Sequence, residues 1–191
     1  MNIDDILKER RTIRKFRQDR ISEELLKKYV DLARIAPSAA NLQPIKYAIV
    51  HTKEMTDKLF DLTKWAGYLA PQYNPKDDER PTAYIVILTD DNIRKSGCDM
   101  DVGAAAQSII LSAYNDGIGT CWIASVDREK TAELLNLSDN LKVSCVIALG
   151  YPMESPREVE VEKADIKYYL DNNGTLCVPK RCSQEVTVGI Y

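Results

Sequence analysis

Two short stretches carry most of the information in this sequence: Arg10-Arg11-Thr12-Ile13-Arg14 and Pro37-Ser38-Ala39-Ala40-Asn41-Leu42-Gln43-Pro44. The first places three guanidinium groups and a hydroxyl close together. Arginine suits phosphate binding because its planar fork of donors matches phosphate oxygens and keeps its charge. The second places short or amide side chains on a loop after a proline. Together they are consistent with two sides of a site for a phosphorylated, hydroxyl-rich ligand. A solvated basic surface and an ordinary turn are the simpler explanations of each stretch alone.

The overall composition is that of an ordinary folded protein. The chain has 191 residues, of which 45% are hydrophobic, so we expect one domain over residues 1–191 with one well-filled core. The net charge of -3 argues against nucleic acid as the main partner, because phosphate backbones are bound by basic surfaces. No apolar run reaches the length of a membrane span, and the acidic start, residues 1–5, is unlike a signal peptide. The sequence therefore predicts a cytoplasmic protein with no membrane partner.

Neither metal nor thiol chemistry is indicated. The number of cysteines is odd and their spacing is irregular, which is typical of free thiols in a reducing compartment. No C-x-x-C pair occurs, so the ligands of a zinc ribbon or an iron–sulfur cluster are not in place. The single histidine, His51, follows an apolar run and is interpreted as a strand-end residue. The five cysteines are Cys98, Cys121, Cys145, Cys177 and Cys182.

Helices and strands alternate along the sequence. Apolar residues at helical spacing predict helices over residues 22–36, 101–116 and 127–135, the first of them capped by Ser22. Short apolar runs predict buried strands over residues 45–50, 84–88, 118–124 and 143–149, and the tail 186–191 is strand-like. Strands interleaved with helices predict an α/β or α+β layer fold around one sheet.

The common glycine-rich nucleotide motifs are missing. There is no G-x-x-x-x-G-K-[ST], and Gly117-Ile118-Gly119 lacks the third glycine of a dinucleotide fingerprint. A bound phosphate would therefore be held by side-chain cations, which draws attention to the arginines of residues 10–14. A second cationic pair, Lys180 and Arg181, follows Val178-Pro179. On its own that pair is more simply explained as solvated surface.

In combination, these motifs resemble the flavin-dependent nitroreductase family. In that family an Arg-Arg-Ser-x-Arg run precedes a Pro-Ser-x-x-Asn-x-Gln-Pro loop, and Thr12 here keeps the hydroxyl of the serine. Residues 116–124 resemble the family's Gly-Leu-Gly-x-x-Trp strand, residues 149–152 its following strand end, and residues 178–181 its basic step near the C-terminus. The resemblance extends from about residue 6 to the tail. One departure is Ile45, where relatives often have an aromatic residue.

The resemblance implies a three-layer α/β/α fold of the α+β class, with helices on both sides of a central, mostly antiparallel sheet. It also implies FMN bound between two identical subunits, with the C-terminal strand, residues 186–191, exchanged between them. The residues implied to contact FMN from one chain are Arg10, Arg11, Thr12 and Arg14, and further contacts are implied from Trp122, Ile123, Ala124, Lys180 and Arg181. Those implied from the other chain are Pro37, Ser38, Ala39 and Asn41, with Gln43 nearby.

Each implied contact has a chemical role. Arg10 and Thr12 would meet the phosphate and ribityl chain, and Lys180 with Arg181 would close the phosphate clamp. Arg14 would lie toward the N1/O2 edge of the flavin, where a cation favours the reduced form. Backbone N–H groups of residues 122–124 would lie near N5.

The implied activity is transfer of hydride from NADH or NADPH through flavin N5 to a flat, electron-poor acceptor of nitroaromatic or quinone type. The expected mechanism is ping-pong, and no side chain acts as a catalyst. Two other functions fit the same resemblance. One is a different flavin chemistry, namely reductive dehalogenation or flavin fragmentation, and the other is a flavin-binding sensor without turnover.

A polar, irregular region over residues 65–81 separates two of the predicted strands, and it is expected to be a substrate lid. Trp65, Tyr68 and Tyr73 are its candidates for stacking on an acceptor. Packing of these three side chains against the edge of the sheet is the alternative.

Overall fold

The computed structural model describes residues 2–163 and 165–191. Its central sheet has five strands, and all of their pairings are antiparallel. The strand order is β1-β5-β3-β2, and β4 also pairs with β5. All four strands predicted from apolar runs are present in this sheet. The strands are β1 (Phe16–Arg17), β2 (Ile45–Val50), β3 (Ala83–Asp90), β4 (Gly119–Ile123) and β5 (Leu141–Pro152).

Six helices accompany the sheet in the described residues, and three of them, α2, α4 and α5, were predicted from apolar spacing. The side chain of Ser22 caps α2 by accepting a hydrogen bond from the backbone N–H of Leu25 at 3.2 Å. None of the helices within residues 2–163 and 165–191 combines the length and apolarity needed to cross a membrane. The helices are α1 (Ile3–Glu9), α2 (Glu23–Ala33), α3 (Lys53–Phe60), α4 (Asp99–Asn115), α5 (Arg128–Leu134) and α6 (Ser183–Val186).

The core lies on both faces of the sheet, as successive residues of β3 show. Tyr84, Val86 and Leu88 belong to one apolar cluster, which includes residues of α3 and α5. Ile85 and Ile87 belong to the other, which includes residues of α2 and α4. Side chains of a strand alternate between the two faces of a sheet, so both faces of β3 are covered by helices. The prediction of a three-layer α/β/α arrangement is confirmed.

A second, small sheet follows the central one in the chain. Its order is β6-β8-β7, with β6 parallel and β7 antiparallel to β8. The apolar pattern did not predict these strands, because β6 and β7 expose many of their side chains and the apolar part of β8 is interrupted by Pro179 and followed by Lys180 and Arg181. We call this three-stranded unit the small sheet. Its strands are β6 (Arg157–Val161), β7 (Tyr169–Leu170) and β8 (Leu176–Arg181).

The tail over residues 186–191 differs from its strand-like prediction. Val186 ends α6, and residues 187–191 have no regular structure. The side chains of Val188, Ile190 and Tyr191 are almost fully exposed. A strand needs a neighbour to pair its backbone groups, and within the described residues the tail belongs to no sheet. Exchange of this segment with a second subunit stays a prediction.

Residues 10–14, which we call the arginine run, are fastened to the edge of the central sheet. The backbone N–H of Ile13 donates to the carbonyl oxygen of Thr120 in β4 at 2.9 Å. Two glycines make room for this contact. A Cβ on Gly119 would lie 2.8 Å from Cγ1 of Ile13, and a Cβ on Gly150 would lie 2.7 Å from Cδ1 of Phe16. The run and β1 can therefore lie against the sheet because these two positions have no side chain.

Replacing Gly150 by alanine should lower the free energy of unfolding by about 1–3 kcal/mol, because the added methyl must displace the buried ring of Phe16. Urea denaturation followed by circular dichroism measures the change. Gly103→Ala is the matched control, since a Cβ at Gly103 in α4 meets no atom within 4 Å and alanine favours a helix. A Gly150→Ala protein as stable as the wild type would contradict the close packing.

Candidate functional site

Alternate side chains of the arginine run point to opposite sides. Arg11 and Ile13 are buried, whereas Arg10, Thr12 and Arg14 are half-buried. This alternation is expected of an extended chain. Arg10, Thr12 and Arg14 therefore form one face of the run, which offers two guanidinium groups and a hydroxyl.

Arg11 uses its charge inside the chain. Its guanidinium donates to the carbonyl oxygens of Lys8, at 2.7 Å, and Arg10, and it pairs with the carboxylate of Glu158. Lys8 lies at the end of α1 and Glu158 lies in β6. Arg11 thus ties α1 to the small sheet. Nothing in the sequence distinguished it from the arginines on either side, because the difference arises from a contact 147 residues away.

A cavity of about 400 Å³ lies on the inward side of the run. Arg11 and Ile13 contribute to its wall, together with residues 152–156 apart from Met153. The end of α4 and the start of β4 close the other side, through Tyr114, Asn115 and residues 117–119. The three side chains of the opposite face, at positions 10, 12 and 14, do not line it.

Arg10 has a buried donor without a partner. Within the described residues, its Nε is shielded from solvent and makes no hydrogen bond. Burial and the neighbouring charge of Arg11 lower the pKa of Arg10 below its ordinary value. An anion placed beside Arg10 would supply both a hydrogen-bond acceptor and a compensating charge. The donors at this position fit a phosphate group.

Arg14 lies against the ring of Tyr168, which in turn contacts Tyr68. Its guanidinium is 4.7 Å from the ring centroid of Tyr168, a cation–π distance. The ring of Tyr168 is 4.9 Å from that of Tyr68, and its hydroxyl accepts a hydrogen bond from the backbone N–H of Tyr68 at 3.3 Å. Because Tyr68 belongs to residues 65–81, this contact attaches that segment to Arg14. We call residues 65–81 the lid segment.

Two of the three aromatic candidates in the lid segment are packing residues. Trp65 is 5% exposed, stacks on Phe60 and donates its Nε1 hydrogen to Thr63. Tyr73 is 8% exposed, so its ring also packs inside the protein. Tyr68, at 59% exposure, remains available for stacking on an acceptor. The side-chain periodicity of a turn-rich segment does not reveal this difference.

The loop over residues 37–43 has an unusual backbone. Ala40, Asn41 and Gln43 have φ angles of 51°, 54° and 54°, which are in the left-handed region. Such conformations are unfavourable for residues other than glycine and persist where surrounding contacts impose them. Ala39 and Asn41 form a single 3-10 turn, and both are exposed, as is Pro37.

Two side chains hold this loop in place. The hydroxyl of Ser38 accepts from the backbone N–H of Gln43 at 2.9 Å. The carboxylate of Asp101 accepts from the backbone N–H of Ala39 at 3.2 Å. Asp101 is buried in the first turn of α4. Asp101 was not predicted as a functional residue. Its position at the start of the apolar helix predicted over residues 101–116 was the one available signal, because a buried acid needs a partner.

Strand β4 passes beside the arginine run. Its side chains alternate, so Ile123 is buried while Trp122 is 42% exposed. Ala124, just beyond the strand, is also exposed. Since the run pairs with β4 at Thr120, the structure brings Arg10, Thr12 and Arg14 close to the strand that carries these residues.

Lys180 and Arg181 lie at the end of β8, in the small sheet. Lys180 is exposed and opposite Glu160 of β6. Arg181 forms an ion pair with Glu185 of α6. The bond between Arg11 and Glu158 joins this sheet to the arginine run, so both cationic groups lie in connected parts of the chain.

The loop over residues 37–43 is far from the run within one chain. Asp101, which holds the loop, is in the first turn of α4, whereas Tyr114 and Asn115 at its other end face the cavity behind the run. A helix rises about 1.5 Å per residue, so these two ends are about 20 Å apart. The arginine run and the loop over residues 37–43, which were predicted to form one site, are therefore at opposite ends of α4.

Comparisons with known proteins identify the class to which this chain belongs, a three-layer α+β oxidoreductase of a known family. The sequence profile of the nitroreductase family matches residues 7–151. A protein from Archaeoglobus fulgidus, provisionally named NADH dehydrogenase/NAD(P)H nitroreductase, is 32% identical over 169 residues, covering 85% of this chain and 90% of that protein. The 4-nitrobenzoate reductase of Pseudomonas putida is 25% identical and covers 81% of this chain and 87% of its own.

A comparison with solved structures gives the same family. The FMN-dependent nitroreductase of Clostridium difficile R20291 superimposes with a TM-score of 0.68 at 27% identity, over 88% of this chain and 98% of that one. The chain belongs to the nitroreductase family, and the resemblance seen in its motifs is confirmed. The predicted class of enzyme, an oxidoreductase, is confirmed as well.

Replacing Arg11 by alanine should lower the free energy of unfolding by about 1–3 kcal/mol, because hydrogen bonds from a charged group to the ends of α1 and to the small sheet are lost. Thermal and urea denaturation measure the change. Arg17→Ala is the control, since Arg17 is exposed and pairs with an exposed Asp19, and it should change stability by less than about 0.5 kcal/mol. If Arg11→Ala were as stable as Arg17→Ala, Arg11 would not stabilise the protein by linking α1 to the small sheet.

Proposed function

We propose that this protein is an FMN-dependent oxidoreductase that transfers electrons from NADH or NADPH to a small, flat, electron-poor acceptor of nitroaromatic or quinone type. The observation that carries the proposal is the buried Nε of Arg10, which makes no hydrogen bond within the described residues and lies on the same face as Thr12 and Arg14. The names of its relatives include NAD(P)H nitroreductase, 4-nitrobenzoate reductase and FMN-dependent nitroreductase, which supports the cofactor, the donor and the nitroaromatic class.

The residues of this chain fit FMN in type and position. Arg10 offers the unsatisfied donor and charge that a phosphate would complete, and Thr12 offers a hydroxyl for the ribityl chain. Lys180, exposed on the small sheet, would add a second cation to the phosphate. Arg181 shares its charge with Glu185, so we assign it the weaker contribution. Residues 122–124 would supply backbone N–H groups beside the ring.

When bound, FMN supplies the two-electron chemistry, exchanging hydride with the nicotinamide and then with the acceptor in a ping-pong sequence. Arg14 would stabilise negative charge at the N1/O2 edge, because a fixed cation there interacts more strongly with the reduced than with the oxidised ring. Tyr68, exposed on the lid segment, would stack on a flat acceptor. In this mechanism no side chain needs to form a covalent bond or act as an acid or base.

We also propose that the site is shared between two copies of this chain. The loop over residues 37–43 lies about 20 Å from the arginine run along α4, so a ligand touching both needs a second subunit. Large apolar side chains are exposed around that loop, at Ile35, Leu42 and Met100. These features support a homodimer, in which the tail could pair with the partner's sheet. The tie between Arg11 and Glu158 supports one domain over residues 1–191.

The purified protein should show flavin absorption bands that bleach when NADH or NADPH is added under argon and return with a nitroaromatic or quinone. Sedimentation monitored at the flavin wavelength should place this colour in a dimer. Bands that persist with both nucleotides would instead indicate a different flavin chemistry or a sensor. A colourless protein that cannot be loaded with FMN would contradict the proposal.

Replacing Arg10 by alanine should weaken FMN binding at least tenfold, equivalent to about 1.4 kcal/mol, while leaving the stability of the flavin-free protein unchanged or higher. The reason is that the variant removes a buried donor without a partner. Fluorescence titration and flavin-free thermal denaturation measure the two effects. The exposed Arg20 provides the control, because Arg20→Ala should change neither. Wild-type FMN affinity in Arg10→Ala would remove Arg10 from the site.

A further inference from the structure

Glu154 joins three segments of the chain beside Arg14. It follows the end of β5, and its Oε1 accepts hydrogen bonds from the backbone N–H groups of Arg14 at 2.5 Å and Lys15 at 3.3 Å. Its Oε2 accepts a hydrogen bond from the hydroxyl of Tyr73 in the lid segment. One carboxylate therefore contacts the arginine run, the residue after it, and the lid.

The backbone has a specific need for an acceptor at this point. The N–H of Ile13 is bonded to β4, and the N–H of Phe16, which lies opposite Pro152 of β5, donates to the carbonyl oxygen of Glu79 at 2.9 Å. Between them the chain passes from the edge of one strand to the edge of the next. The N–H groups of Arg14 and Lys15 lie in this gap, where the carboxylate serves as acceptor for both. A charged acceptor makes stronger hydrogen bonds than a carbonyl.

The same carboxylate contributes to holding the lid segment. Within the described residues the lid contains neither a helix nor a strand, so individual contacts hold it, among them the backbone hydrogen bond from Phe16 to Glu79 and the bond from Tyr73 to Glu154. Burial and the bond to Glu154 raise the pKa of Tyr73, so its hydroxyl keeps its proton and continues to donate. On the other side of Arg14, the lid is held by the contact between Tyr68 and Tyr168.

We propose that Glu154 is a positioning residue for the flavin site. By holding the backbone at Arg14, it directs that guanidinium, and by holding Tyr73 it keeps the lid segment over the same place. One side chain thus couples the placement of the cation to the position of this part of the lid. The inference rests on the proposed function for its consequence in binding, but its geometric part concerns the protein without FMN.

Glu79 provides a matched control. Like Glu154, it links the arginine run region to the lid, because it pairs with the ammonium group of Lys15 at 3.0 Å and accepts from the backbone N–H of Lys76. It differs in making no hydrogen bond to Arg14 or Tyr73. The variant Glu79→Gln removes this charge and tests whether loss of any carboxylate between the arginine run and the lid changes the backbone at Arg14.

The first measurement is amide hydrogen exchange by NMR on the protein without flavin. In Glu154→Ala, the amides of Arg14 and Lys15 should exchange at least tenfold faster than in the wild type, whereas Glu79→Gln should leave the Arg14 amide unchanged. Glu154→Gln keeps a neutral acceptor, so the amides of Arg14 and Lys15 should exchange faster than in the wild type and more slowly than in Glu154→Ala. If the alanine variant does not fold, the glutamine variant decides, and wild-type exchange at Arg14 in that variant would overturn the inference.

The second measurement separates the two contacts of the carboxylate. Glu154→Ala should bind FMN at least tenfold more weakly, with affinity largely restored in Glu154→Gln. Tyr73→Phe breaks the lid contact alone, so it should raise the KM for the acceptor severalfold and leave FMN affinity and kcat unchanged. A folded Glu154→Ala protein with wild-type FMN affinity would overturn the positioning role. A wild type that binds no FMN would overturn the proposed function, while the exchange rates would still report on the geometry.

Discussion

The hydrogen bond between Ile13 and Thr120 is the contact around which this structure is arranged. It holds an extended segment against β4 and thereby fixes which side chains point inward and which outward. The contact is possible because Gly119 and Gly150 have no side chains, which leaves room for Ile13 and Phe16 against the sheet. Arg11 is consequently directed toward the small sheet, and its neighbours toward the opposite side. One run of adjacent residues thus provides both a structural tie and the half-buried face that we propose binds FMN.

Sequence reasoning succeeded where local pattern is decisive. The strands over residues 84–88 and 143–149 are covered on both faces, so their apolar runs identified them. It failed where the outcome depends on distant contacts. The inward direction of Arg11 and the position of Glu154 follow from partners remote in sequence. The small sheet was missed because exposed strands such as β6 carry charged residues that resemble a loop.

The length of α4 gives a geometric reason for two subunits in the proposed site. The helix places the loop over residues 37–43 at one end and the cavity behind the arginine run at the other. No rotation of side chains can close a gap of about 20 Å. Under the proposal, the left-handed backbone at Ala40 and Asn41, held by Ser38 and Asp101, would lie against the second subunit. Because contacts within the chain already impose this backbone, ordering it would add little to the entropy cost of association.

The unpaired guanidinium of Arg10 has a consequence for how long the protein survives. A ligand that binds the folded state alone stabilises it in proportion to the logarithm of the ligand concentration. Under the proposed function, chains without FMN retain an uncompensated buried donor, and chains with FMN do not. Proteases act on the unfolded fraction. The amount of this enzyme present in a cell would therefore follow the supply of flavin even at a constant rate of synthesis.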